Sequence, residues 1–432
     1  MASPLRIGLA GLGTVGAGVL RLLDAHAALV EARAGRPIVV TAVSARDRGR
    51  ERGLDLAGLA WEDDAAALAR RPDVDVVVEL VGGADGPALT LARAAIAAGK
   101  PLVTANKAML AHHGAELAAA AEAAGTALRF EAAVAGGIPV IKGLAEGAVA
   151  NRVVRVSGIL NGTCNYILTA MEAEGRDFAE VLAEAQRLGL AEADPGFDID
   201  GIDTAHKLVL LAALAFGTRP AFASVETAGI RAVCLADIEQ ARALGHRVRL
   251  IGLAERRGEA LLQEVRPVLV PATHPLAAVE GPRNAVVVEG EPVGALVFEG
   301  AGAGAGPTAS AVIADLVAIA RGERLPAFGV PAAALAEAPA ADPAARAGRH
   351  YLRLVVADRP GVLADVAARL RDAGVSIESL LQPAASEEQP ALLVIVTHRG
   401  PEGAVRRALE AIAALPVVLE PPLLMPILEG GA

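Results

Sequence analysis

A chain of 432 residues is too long for one hydrophobic core and divides into two or three domains. Its 53% apolar and 21% charged residues exclude disorder, while 2% aromatics and a net charge of −10 argue against a nucleic-acid partner. Cys164 and Cys234 cannot build a disulfide framework, and the longest uncharged stretch, residues 156–171, is polar in part and too short for a membrane span, so a cytoplasmic protein is expected.

The first 130 residues alternate short apolar runs with helical spacing, the signature of βαβ units. Residues 5–10 read as a strand, 13–31 as a helix, 38–43 as a β-branched strand and 74–81 (VDVVVELV) as a buried strand. A helix at 87–98, a strand at 101–104, a helix at 107–124 and a strand at 128–131 complete the series. The N-terminal apolar stretch is broken by glycines and runs into a helix, so it reads as a first strand rather than a signal peptide. The expected fold over residues 1–131 is an α/β Rossmann doubly wound parallel sheet, with ligand at the strands' C-terminal edge. Residues 132–300 mix strands, glycine-rich turns and a very apolar helix around 208–216, an α+β pattern. Residues 301–331 give a glycine loop and a helix returning to the first domain, and the Ala/Pro-rich segment 332–348 reads as a linker. Residues 349–432 run strand (350–357), helix (362–373), strands (375–381 and 391–397), helix (401–413) and a last strand within 416–427. This is the ferredoxin-like βαββαβ order.

GLGTVG follows the first strand and opens a helix, the context that gives the pattern meaning. Gly11 permits the tight turn, Gly13 lets the backbone approach a pyrophosphate, and Gly16 lets helix and strand pack closely. Thr14 and Val15 lie in the first helical turn, where free N–H groups face the phosphates. The second strand ends without an acid to grip a ribose 2′-hydroxyl, while Arg46, Arg48 and Arg50 stand close enough to meet a 2′-phosphate. NADP(H) is therefore favoured over NAD(H), with Asp47 as an opposing charge.

Of 40 basic residues only four are lysines: Lys100, Lys107, Lys142 and Lys207. A lysine kept where arginine is the default cation marks a place for a compact ammonium whose pKa can shift. Asn106 is the expected N-cap of the helix at 107–124, which puts Lys107 in a first turn that opposes the helix dipole. Glu192, Asp194, Asp198, Asp200 and Asp203 crowd twelve residues, and Asp203 and Lys207 are four apart on a helix that then turns wholly apolar. The spacing does not match an EF-hand. His206 points away from Lys207 and reads as packing, His112 and His113 cannot chelate from one helix face, and Cys164 reads as packing.

GLGTVG, TANKA, SGILNGTCNYILTAM, AEADPGFDIDGIDTAHKL and the GAGAGPTASAV loop, in that order, resemble homoserine dehydrogenases over more than two thirds of the chain. The resemblance implies NAD(P)-linked interconversion of L-aspartate 4-semialdehyde and L-homoserine, on the way to threonine and methionine. It implies Lys207 as proton donor to the nascent alkoxide, with Lys107 contacting cofactor and substrate. Glu192 and Asp203 would hold the substrate, and Gly189 and Gly304 would contact the cofactor. Residues 132–300 become a catalytic and dimerisation domain of a homodimer or homotetramer. Positions Glu131, Val134, Gly136 and Ile138 match a site for a monovalent cation such as sodium, where the residues alone give a flexible hinge. DRPGVLADVAARL makes residues 349–432 resemble an ACT domain, with threonine as the implied effector. Two other readings stay open: an ACT-bearing dehydrogenase of another hydroxy acid, using a His–carboxylate pair, and a non-catalytic regulator that keeps the folds.

Overall fold

Strands without a polar face have to be covered on both sides, which is the condition for an all-parallel sheet. In the computed structural model, which describes residues 2–382 and 390–429, β1 (Leu5–Ala10), β2 (Ile38–Ser44), β3 (Ala60–Glu62), β4 (Val76–Glu79), β5 (Leu102–Thr104) and β6 (Leu128–Arg129) form such a sheet. Its order is β3-β2-β1-β4-β5-β6. The order reverses between β1 and β4, and a crevice opens there beyond the strands' C-terminal ends. Helices α1 (Thr14–Ala25), α2 (Ala27–Ala34), α3 (Ala67–Arg70), α4 (Pro87–Ala97) and α5 (Lys107–Ala123) connect the strands. The single helix expected across 13–31 is two, because His26 leaves the helical region at φ −119°. Neither β3 nor α3 was expected: with three and four residues they are too short to show a period.

The second domain holds α6 (Val140–Lys142), β7 (Arg152–Ile159), α7 (Gly162–Glu174), α8 (Phe178–Arg187), α9 (Gly196–Ile199) and α10 (Ile202–Phe216). It continues with β8 (Glu226–Thr227), α11 (Leu235–Ala243), β9 (His246–Arg257), β10 (Ala260–Pro271), β11 (Arg283–Glu291) and β12 (Gly294–Ala301). The sheet order is β12-β11-β7-β9-β10-β8, antiparallel except where β8 meets β10. Helix α10 is buried from Asp203 to Leu214, so its polar start is drawn to the edge of the core by its apolar end. Helix α12 (Ala305–Ala320) returns to the Rossmann domain. There a Cβ on Gly18 would sit 2.5 Å from the Ala305 carbonyl, so α1 and α12 touch backbone to backbone.

Residues 332–348 do not hang free as a linker. Ala336 exchanges hydrogen bonds with Gly217 and Arg219 at 2.9 Å, and Pro339 and Ala341 bond Leu261 at 2.9 and 3.0 Å along β10. Small apolar residues let the strand's open edge satisfy the segment's backbone, a pairing that composition cannot show.

The C-terminal unit comprises β13 (Ala347–Gly348), β14 (His350–Val356), α13 (Val362–Asp372), β15 (Ile377–Leu381), β16 (Ala391–Thr397), β17 (Gly400–Pro401), α14 (Glu402–Ala413) and β18 (Leu423–Pro426). The four-stranded sheet β15-β16-β14-β18 is ferredoxin-like, and β13 pairs with β17. Alternation along β14 sends Leu352, Leu354 and Val356 under α13 and α14. The opposite face turns Tyr351 and Arg353 to Asp237 on α11, at 3.0 and 2.6 Å. Arg266 on β10 meets Glu402 on α14 at 2.7 Å, both buried, so the unit is seated on the second domain.

Candidate active site

The glycine loop has the backbone geometry its spacing implies. Gly11 has φ +96° and a Cβ there would lie 2.4 Å from the Leu80 carbonyl, while one on Gly16 would lie 1.9 Å from the carbonyl of Gly11. Only glycine fits either place. Gly13, the N-cap of α1, has nothing within 4 Å of its missing Cβ, and it faces a cleft of about 670 Å³. Thr14 and Val15 open the helix at that cleft. Leu80, Val81, Arg46, Asp47 and Arg50 also line it. This open, glycine-floored cleft at a helix N-terminus fits a dinucleotide's pyrophosphate. Asp47 Oδ1 accepts from the backbone N–H groups of Gly49 and Arg50, at 2.9 and 3.1 Å. Arg52, unnoticed in the sequence, ties this loop down by donating to the Leu12 carbonyl at 3.2 Å and the Arg50 carbonyl at 2.7 Å.

Where the two domains meet, Asn106 caps α5 as expected, its side chain accepting from the Met109 N–H at 3.0 Å. Lys107 leaves that first turn, and its Nζ lies 3.0 Å from Asp203 Oδ1 on α10. Asp203 Oδ2 accepts from Lys207 Nζ at 2.7 Å, one turn further along the helix. The same ammonium donates to the Leu160 carbonyl at 2.7 Å. Burial disfavours the Asp203 carboxylate, but Lys207, Lys107 and Asn161 outweigh it and hold the acid well below its ordinary range. Lys207 has the opposite balance: burial lowers its pKa, and Asp203 only partly restores it. The result is a buried ammonium easier to deprotonate than a surface lysine.

Asn161 and Asp198 complete the cluster, and no role for either was read from the sequence. Asn161 Nδ2 donates to Asp203 Oδ2 at 2.9 Å and to Asp198 Oδ1 at 2.8 Å, across separations of 42 and 37 residues. Burial raises the Asp198 carboxyl. Phe197 lies with its ring 5.8 Å from Lys107 Nζ. Glu192 is exposed, on the loop between α8 and α9, with no side-chain hydrogen bond among the described residues. Gly189 sits at φ +73° after α8, and Gly304 at φ +117° caps α12.

His206 stacks on Phe222 at 4.4 Å, and burial beside His112 and Lys107 pushes its pKa down to about 4. His113 pairs with Asp85 at 2.8 Å. Cys164 is buried, its Sγ against the Asp198 carbonyl at 3.2 Å.

At the hinge, the Glu131 carboxylate accepts from the N–H groups of Ile141 and Lys142, both at 2.9 Å. Burial beside Asp315 pushes it up to about 7. Ala135, at φ +54°, is the one non-glycine residue with positive φ among those described, and Gly136 follows at +57°. The buried carbonyls of Val134 and Gly136 accept no hydrogen bond from the described residues. Those of Glu131 and Ile138 accept one each and keep a lone pair. Backbone oxygens with free lone pairs are the donor type that a hard monovalent cation takes. No cluster of three or more His, Cys, Asp or Glu suited to a metal occurs among the described residues.

A Rossmann cleft together with buried Asp203 and Lys207 and half-buried Lys107 goes with an NAD(P)-dependent oxidoreductase that acts on a CH–OH group. The homoserine dehydrogenase profile matches residues 139–317, its NAD-binding domain residues 11–131, and the ACT domain residues 350–417. A homoserine dehydrogenase of Pseudomonas aeruginosa is 44% identical over 425 residues, 97% of each chain. The crystal structure of one from Thiobacillus denitrificans superposes with a TM-score of 0.92 at 42% identity, covering 99% of this chain and 98% of that one. A hyperthermophilic archaeal homoserine dehydrogenase in complex with NADPH has a TM-score of 0.63 at 25% identity, covering 73% and 97%. The chain belongs to the homoserine dehydrogenase family.

Proposed function

We propose that the enzyme reduces L-aspartate 4-semialdehyde to L-homoserine with NADPH, reversibly, in the cytoplasm and on the route to threonine and methionine. The observation that carries this reading is the Lys207 ammonium, buried and aimed by Asp203 and the Leu160 carbonyl. A bound nicotinamide supplies the hydride. Lys207 gives its proton to the aldehyde oxygen as negative charge develops there, and takes it back in the reverse direction. Lys107 polarises the same carbonyl, and Asp203 holds both ammoniums in register. Glu192 takes the substrate ammonium on the exposed loop between α8 and α9. Gly189 and Gly304 border the cofactor. The backbone oxygens of Glu131, Val134, Gly136 and Ile138 hold a sodium ion that stiffens the hinge. A spectrophotometric assay with aspartate semialdehyde and NADPH tests the reading, and lack of turnover with that pair contradicts it.

The NADPH preference stands on Arg46 and Arg50 at the cleft, and on one oxygen of Asp47, which also lines it, being taken up by its own loop's N–H groups. Loss of one charge-assisted hydrogen bond to a 2′-phosphate makes Arg46→Ala raise the KM for NADPH about tenfold and leave that for NADH unchanged. A wild-type enzyme that prefers NADH refutes this assignment.

Assembly as a homodimer or homotetramer rests on the exposed edge strand β12, which presents Val297. Threonine is the proposed effector, received where the 359–361 turn meets the N-terminus of α13, a place suited to an α-carboxylate. Titration calorimetry is expected to show threonine binding together with loss of activity. Absence of both heat and inhibition leaves the ACT unit a structural role only.

A further inference from the structure

Glu79, the last residue of β4, is fully buried, and no basic side chain pairs with it among the described residues. Its two carboxylate oxygens serve different neighbours. Oε1 accepts from the N–H groups of Val81 and Gly82, at 2.7 and 3.1 Å. These residues begin a turn that passes through Gly82 and Gly83, at φ +85° and +87°, and Val81 walls the cofactor cleft. Oε2 accepts from the Thr104 hydroxyl at 2.5 Å, at the end of the neighbouring strand β5. Thr104 Oγ1 in turn accepts from the Asn106 N–H at 3.0 Å, and Asn106 caps the helix that begins with Lys107. The Asn106 amide closes the ring by donating to the Gly83 carbonyl at 2.7 Å.

A carboxylate without a cationic partner in the core is costly to keep, so its retention calls for a task that a neutral apolar residue cannot perform. We propose that Glu79 is a positioning residue that sets the 80–83 turn through one oxygen and the N-terminus of α5, hence Lys107, through the other. It thereby fixes the cofactor's wall and the polarising ammonium relative to each other. Two parallel strand ends would otherwise fray independently, and hydride transfer tolerates little slack between cofactor and carbonyl.

The inference rests on the reading of Lys107 given above, and separate variants keep the two apart. Thr104→Val cuts only the Oε2 branch: kcat is expected to fall about tenfold, with NADPH affinity, read by fluorescence titration, within about twofold of wild type. Glu79→Ala cuts both branches and is expected to lower kcat by about 10²-fold and to weaken NADPH binding as well. Glu79→Gln keeps an acceptor for Val81 and Gly82 and an amide toward Thr104, and is expected to recover most of the kcat. A purely structural carboxylate predicts instead a lower melting temperature with kcat unchanged in Thr104→Val, and that result overturns the proposal. Failure of Gln to recover activity, in a folded variant, also overturns it. If Lys107→Ala itself keeps full kcat, the reading of Lys107 fails, and the α5 branch of the inference with it. If Lys107→Ala is inactive while Thr104→Val and Glu79→Ala match wild type, only the inference on Glu79 fails.

Discussion

Lys207→Ala is expected to lower kcat for aldehyde reduction by about 10²–10⁴-fold, the contribution of a positioned general acid, while NADPH still binds. Lys207 lies on α10 of the second domain, away from the glycine cleft of the first, which is why cofactor affinity is spared. Its surroundings leave the proton one useful direction. The Leu160 carbonyl and Asp203 Oδ2 each take one of its three N–H bonds, at 2.7 Å, and the third remains for the substrate oxygen. Lys207→Arg is expected to be nearly as inactive, because a guanidinium keeps its proton near neutral pH and is too wide for the site. The pH dependence follows the direction of the shift. Burial lowers the Lys207 pKa from the ordinary lysine value, so the rate of reduction is flat at low pH and falls on an alkaline limb centred below that value. Homoserine oxidation needs the free amine and rises over the same interval.

Asp203→Asn is expected to do nearly as much damage, about 10²-fold in kcat at neutral pH, although the residue donates no proton itself. The amide keeps the shape but removes the carboxylate that lies within hydrogen-bonding distance of both ammoniums. Asp203 raises the Lys207 pKa, so its neutralisation lets burial act unopposed and lowers that pKa further. The alkaline limb of the reduction profile therefore moves to lower pH. A loss of stability of about 3–5 kcal/mol, the usual cost of stripping one partner from a buried pair, accompanies this unless a lysine sheds its proton first. Chemical denaturation and pH–rate profiles of the same variant separate the two effects. An unchanged limb means that Asp203 does not govern the proton on Lys207.

Much of this site was legible because its signals are local. GLGTVG fixes its turn within six residues, Asn106 caps its own helix, and Asp203 and Lys207 meet through i,i+4 geometry. The scarcity of lysine proved informative in the same way. Besides Lys107 and Lys207, Lys142 pairs with buried Asp315 at 2.8 Å and Lys100 donates to the Arg71 carbonyl at 2.5 Å, so none of the four is an idle surface cation. What the sequence hid is long-range. Asn161 reaches Asp198 and Asp203 only because α7 and α10 start side by side at the core's edge, a fact of tertiary packing without a sequence period. The Arg266–Glu402 contact under the ACT unit, 136 residues apart, is hidden for the same reason, as is the pairing of residues 332–348 with β10. Glu192 shows the reverse: its family pattern is plain, yet in this structure it faces solvent.

The most direct test is chemical rescue of Lys207→Ala by small primary amines, which fill the space the side chain leaves. A proton delivered from position 207 predicts that turnover returns in proportion to amine concentration, and that it varies with the amine's pKa and size. If no amine of any size restores turnover in a folded variant that binds NADPH, the proton reaches the alkoxide from elsewhere and the central claim is wrong.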